Sequence, residues 1–138
     1  MEVKIKIRGE QGENDDSVEV VSIGQMFHEN GFLCLTYDEV VDEEETGVVQ
    51  VVKNTIKISD EQVEVIKKGP SQSHMVFVPD QTTFTYYSTP LGELEVSIFT
   101  DEIEKISNDN GFTLSMHYQL EMNQTFISNN IVNIEVEY

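Results

Sequence analysis

The chain predicts an all-β fold, an antiparallel meander closed into a barrel of about eight to ten strands. Composition is the first reason. The 138 residues include no alanine and only six leucines, against 17 valines, 12 isoleucines and ten threonines. Alanine and leucine lead the helix scale, whereas β-branched side chains lose χ1 freedom in a helix and suit a pleated surface. Alternation is the second reason, because apolar and polar residues exchange places with period two along most of the chain. The third lies at the two ends. Lys4, Lys6 and Arg8 alternate with Val3, Ile5 and Ile7, and Glu135 and Glu137 alternate with Ile134 and Val136. Placed side by side, these terminal strands make opposite-charge cross-strand pairs and remove both sheet edges. Disorder is excluded: Leu, Ile, Val and Phe make up 42 of 138 residues, well above the roughly 20% at which a core fails.

The elements follow in order. Residues 3–8 form a half-buried strand, and Val18 to Phe27 a second. His28-Glu-Asn-Gly31 is a hairpin turn, since Asn-Gly tolerates positive φ at both positions, and Phe32 to Tyr37 returns with Leu33, Leu35 and Tyr37 on one face. Asp38 to Gly47 carries six acids in ten residues and reads as a solvated loop. Val49 to Ile58 is a strand with Val52, Ile56 and Ile58 on a shared face; Gln62 to Lys67 follows and is broken at Gly69-Pro70. Two short strands, His74 to Val78 and Thr82 to Ser88, flank Pro79-Asp80. Thr89-Pro-Leu-Gly92 is a turn, because proline presets φ and glycine supplies freedom. Glu93 to Thr100 alternates again. Asp101 to Ser107 reads as a helical turn or as an extension of that strand, and Asn108-Asp-Asn-Gly111 is a turn. Phe112 to Met122 is the clearest strand, with Phe112, Leu114, Met116, Tyr118, Leu120 and Met122 on one face. Gln124 to Glu137 closes the chain. No linker divides it, so residues 1–138 are expected to form a single domain.

Acids outnumber bases 26 to 8, a formal charge of −18. Nucleic-acid and anionic-membrane partners are therefore not expected, since both need a basic footprint. No run approaches the roughly 18 apolar residues of a membrane span, and Met1 to Arg8 lacks the apolar core of a secretory signal. The single cysteine, Cys34, excludes an internal disulfide and suits a reducing compartment. The expectation is a cytoplasmic protein. Asn123-Gln-Thr125 matches a glycosylation sequon, which has no meaning in that setting.

A further ordering emerges from Gly69 onward. Gln72, Met75 and Phe77 follow the glycine, then Tyr87-Ser-Thr-Pro-Leu-Gly92-Glu-Leu94, the Gly111 turn, Tyr118-Gln-Leu-Glu-Met-Asn123, and Asn129-Asn130 before the final Ile-x-Val. Together with the lysine-rich first strand, this resembles the YwiB-like family of small bacterial proteins over essentially the whole chain. The resemblance implies a calycin-type, lipocalin-like barrel and no particular activity, because that family is a domain of unknown function. Lys67 stands where the family pattern leads one to expect arginine, which makes the position a point charge rather than a planar fork.

Chemistry-bearing residues are few. Lys67 shares a face with Val63 and Val65; if that face points inward, a cation sits in or at the mouth of the barrel. Tyr37, Tyr87 and Tyr118 are candidates to share that interior. Lys67 with Tyr37, Tyr87 and Tyr118 is then the candidate set for a small molecule with an anionic group, held above an apolar floor. The alternative is that Lys67 is satisfied by a tyrosine or carboxylate, or reaches the rim. The histidines 28, 74 and 117 have no metal-ligand spacing, and the acidic runs 13–16 and 42–45 lack the ligand pattern of a calcium loop. No nucleophile elbow, phosphate loop or dinucleotide fingerprint occurs, so neither catalysis nor a cofactor is expected. The leading expectation is an acidic cytoplasmic barrel that binds a small molecule in its interior; the second is a protein-interaction module using the acidic surface or an edge strand. An interior filled by Met75, Phe77, Met116 and Tyr118 would speak against a ligand there. A cavity of roughly 300 Å³ or more reaching Lys67 would speak for one.

Overall fold

The structure is a computed structural model. It describes residues 1–12, 17–42, 47, 49–69, 72–89, 92–122 and 125–138; the side chains of 41, 42 and 87–89 fall outside the described set. Ten strands occur: β1 (Glu2–Gln11), β2 (Ser17–Glu29), β3 (Phe32–Asp42), β4 (Val49–Ile58), β5 (Val63–Lys68), β6 (Ser73–Phe77), β7 (Thr82–Thr89), β8 (Gly92–Asn108), β9 (Gly111–Met122) and β10 (Thr125–Glu137). They form one sheet of order β6-β5-β4-β3-β2-β1-β10-β9-β8-β7, every neighbour antiparallel. No helix occurs among the described residues.

The terminal strands are neighbours, as the charge pattern requires. Lys6 lies opposite Glu135 and Lys4 opposite Glu137, while the ammonium of Lys6 is 3.8 Å from Glu19 on the other side, in β2. The Asn30-Gly31 turn has φ of 51° and 82°, the geometry that joins two twisted strands with two residues.

One reading is corrected and one alternative is decided in favour of the strand. Asp38 to Asp42 is not loop but the second half of β3, paired with β4 out to Asp42↔Val49. Asp101 to Ser107 continues β8 as strand. Its alternation is obscured by a bulge between Thr100 and Glu102, which adds a residue and reverses the parity. Val96, Ile98 and Thr100 point inward before it; after it the inward positions are odd, so Ile103 packs on the core and the ammonium of Lys105 lies 5.0 Å from the centre of the Phe112 ring. The acidic runs 13–16 and 43–45, the Pro90-Leu91 turn and the Asn123 sequon lie outside the described residues.

The inward faces build one core at one end of the barrel. Val3, Ile5, Leu35, Ile56, Ile58, Val63, Phe77, Ile98, Phe112, Leu114, Met116, Ile134 and Val136 are all buried there. Fully burying such a side chain stabilises by about 1.5–3 kcal/mol. Two glycines permit the backbones to close on it. A Cβ at Gly24 would stand 2.3 Å from the Thr36 carbonyl oxygen and 2.7 Å from the Ile5 side chain; one at Gly111, with φ of 151°, would stand 1.8 Å from the Val136 carbonyl oxygen.

β6 and β7 form the seam of the barrel. They lie against each other, but no backbone ladder joins them among the described residues. Threonine hydroxyls of β7 donate instead to carbonyls of β6: Thr85 Oγ1 to the His74 oxygen at 2.6 Å, and Thr83 Oγ1 to the Val76 oxygen. Position numbers rise by two on one strand as they fall by two on the other, which is antiparallel register kept by side chains. The result is a nearly closed barrel.

Candidate functional site

Strands β1, β3 and β5 run away from the apolar core, and on β3 and β5 the far halves turn polar residues to the interior, whereas the far half of β9 stays apolar with Leu120 and Met122. On β3, β4, β5 and β6, register places Tyr37, Asn54, Lys67 and Ser73 in one cross-strand row. Glu39 is two positions beyond Tyr37 on the same face. Its carboxylate accepts hydrogen bonds from the Tyr37 hydroxyl and from Asn54 Nδ2 at 3.2 Å, and lies 3.9 Å from Lys67 Nζ. Burial, then the charge of Glu39 and the hydrogen bond to it, push the Tyr37 hydroxyl well above the usual tyrosine range. A carboxylate only accepts, so the amide nitrogen of Asn54 must face Glu39. Asn54 Oδ1 is then turned away, and it is a buried acceptor without a partner among the described residues. Across the barrel a second polar set is satisfied internally: Asn130 Nδ2 donates to Ser128 Oγ at 3.0 Å, and Gln11 Nε2 to the same oxygen at 3.4 Å.

Lys67 joins this cluster to an opening in the wall. A groove of about 490 Å³ runs along the seam. β5 contributes Ile66, Lys67 and Lys68, and β6 contributes Ser73 and His74, with Gln72 beside it. β7 contributes Phe84, Thr85 and Tyr86. Among the described residues no carboxylate lines it, in a chain with 26 acids. The Lys67 side chain is 45% exposed, so its contact with Glu39 is a solvent-screened pair and leaves the ammonium accessible from the groove. Lys68 lies directly opposite Lys53, with Asp38 on the far side of Lys53. Like charges placed opposite cost stability, and an anion in the groove would relieve that. The His74 ring, which lines the groove, donates from Nε2 to Glu64 at 3.0 Å, so its Nε2 is engaged by that carboxylate.

Of the site residues expected from sequence whose side chains are described, Lys67 lines the groove and Tyr37 and Tyr118 do not. Tyr37 is linked to Lys67 through Glu39. Tyr118 packs edge-on against Phe77, ring centres 4.8 Å apart, at the border of the core. The Tyr87 side chain lies outside the described residues. Phe77 and Met116 are buried in the core, and Met75 and Tyr118 pack against it, so that part of the interior is filled. Sequence reading missed Glu39, hidden in the acidic run, and Asn54. For Asn54 the signal was present: period two from Val52 to Ile56 puts it on the inward face.

Other chemistry is sparse. Among the described residues no three His, Cys, Asp or Glu side chains approach closely enough to hold a metal, and no helix is long and apolar enough to cross a membrane. Burial raises the Cys34 thiol above its ordinary range, which makes it a poor nucleophile. A hollow of about 760 Å³ at the opposite end opens on solvent and carries Asp109, Glu135 and Glu137 with no cation.

Comparison with known proteins places the chain. A family model described as a domain of unknown function, DUF1934, matches residues 3–134. The chain belongs to the DUF1934 family. A solved structure titled as the ywiB protein from Bacillus subtilis superposes on this DUF1934 barrel with a TM-score of 0.70, covering 99% of this chain and 91% of that one at 23% identity. At that identity the likeness speaks for the fold. No curated protein matches the sequence.

Proposed function

We propose that this DUF1934 protein is a cytoplasmic binding barrel that holds a small anionic molecule, without catalysis, in the seam groove at Lys67. The single observation that carries this reading is the groove of about 490 Å³ that reaches Lys67 and has no carboxylate among its described lining residues. The size suits a small ligand. The wall is favoured over the lumen because on the inner side Lys67 already meets Glu39, whereas on the groove side its ammonium is open. Tyr37 and Asn54 support the site by holding Glu39, and the buried acceptor Asn54 Oδ1 offers a hydrogen bond to a donor that reaches past Lys67. The single buried cysteine fits the cytoplasmic setting.

Native mass spectrometry of protein purified gently from its own host tests the proposal. A retained adduct of small-molecule mass, lost in Lys68→Glu, supports it; bare protein from both forms, after rapid preparation in volatile buffer, speaks against it. A second reading, a protein-interaction module, has one observation in its favour. Among the described residues β2 and β3 pair only through Gln25–Glu29 and Phe32–Thr36. The preceding half of β2, with exposed Val18, Val21 and Ile23, therefore has β1 on one side and no described strand on the other. That reading expects a protein-sized partner in the same spectrum.

A further inference from the structure

Resting on the binding site proposed above, we infer that its ligand is an aromatic anion, with the ring against Phe84 and Tyr86 and the carboxylate or phosphate on Lys67 and Lys68. Phe84 and Tyr86 are two residues apart on the outer face of β7 and are 62% and 59% exposed. An outer barrel face ordinarily carries polar side chains, and their own partners on β8 are Ser97 and Glu95. On their other side lies the seam, where no strand ladder covers them. They form one wall of the groove, and Lys68 and His74 form the other. Other exposed rings exist, at Phe27, Phe126 and Tyr138, but none of these lines the groove. Each half of the site excludes a simpler ligand. A bare inorganic anion leaves two apolar rings in water, and a neutral apolar molecule leaves the Lys68 ammonium, which faces Lys53, without a counter-charge from the ligand. A flat ring bearing an anion satisfies both walls, through ring–ring contact and charge pairing. A polyanionic strand is disfavoured, because the net charge of −18 repels every phosphate beyond the groove.

The test uses four probes on the intact chain: 2-naphthoate, its neutral analogue 2-naphthylmethanol, the non-aromatic cyclohexanecarboxylate, and inorganic phosphate. Naphthyl fluorescence is read against a protein that contains no tryptophan, and the other two probes are read by competition. Naphthoate is expected to bind about tenfold more tightly than each of the other three. Lys68→Glu should abolish binding of naphthoate, and the Phe84→Ser, Tyr86→Ser pair should weaken it about tenfold. Neither should lower the thermal midpoint by more than a few degrees, because these side chains are exposed and the first change turns the like-charge pair with Lys53 into an opposite-charge one. Phe126→Ser, an equally exposed ring on β10, should change nothing. If cyclohexanecarboxylate binds as well as naphthoate and only Lys68→Glu weakens both, the anion site stands and the aromatic class is overturned. If no anion binds, or Lys68→Glu has no effect, the binding site itself is overturned and this inference with it.

Discussion

Replacing Thr83 and Thr85 by valine removes the two hydroxyls that tie β7 to β6 and leaves shape almost unchanged. Both donate to backbone carbonyls across the seam, Thr85 to His74 at 2.6 Å and Thr83 to Val76. Thr85 is 5% exposed, so water cannot easily replace the lost donor. A net contribution of about 1 kcal/mol per hydrogen bond gives about 2 kcal/mol for the pair. For a domain of this size that lowers the thermal midpoint by roughly 8 °C. The loss should also be local. β6 has a ladder only with β5, so amide hydrogen exchange in residues 73–77 should accelerate before exchange in β9, which is paired on both sides. Thermal unfolding followed by circular dichroism, with exchange read by mass spectrometry, measures both. Thr55→Val on the neighbouring wall, whose hydroxyl makes no hydrogen bond among the described residues, is the control. A double variant with the midpoint of the wild type and unchanged exchange in β6 would refute the claim that hydroxyls close this barrel.

Three further outcomes are expected. Gly24→Ala should cost several kcal/mol, about 3 or more, because the new Cβ meets the Thr36 carbonyl oxygen at 2.3 Å and backbone cannot yield as a side chain does; urea denaturation checks it, and a loss under about 1 kcal/mol would contradict the close approach. Met116→Ala, at a position 1% exposed, should lose roughly 2–5 kcal/mol in the same assay. Stability should fall at alkaline pH. The native state holds protons on Cys34 and Tyr37 above their ordinary values of 9.0 and 10.0, so the unfolded state releases them first. The contribution of these two groups is then constant below about pH 9 and is lost progressively above it. Tyr37→Phe should flatten the part of the decline that begins near pH 10, and an unchanged profile would contradict the burial of that hydroxyl.

Much of the fold was legible because barrel walls are written in period two. The six residues from Phe112 to Met122 expected on one face do share the inward face, and Lys6 does meet Glu135. Legibility failed where a local feature broke the period or where composition masked it. The bulge after Thr100 shifted Ile103 into the core by one residue, and no residue type there announces a bulge. Acidic composition hid the strand in Asp38 to Asp42, and with it Glu39. The seam was unreadable for a different reason: a meander does not say which of its hairpins will lack a ladder. That depends on how the twist of ten strands closes, and it settled between β6 and β7, only five and eight residues long. The outward turn of Phe84 and Tyr86 acquired meaning only once the seam was located.

The central claim is that the groove at the seam is the anion site of this DUF1934 barrel. Amide shift mapping of isotopically labelled protein titrated with 2-naphthoate tests it most directly, because the chain has a second concentration of cations at Lys4, Lys6 and Arg8 on the outer face of β1. Shifts confined to residues 66–68, 73–74 and 84–86 are expected. Shifts centred on β1, or spread evenly over the barrel, would contradict the account.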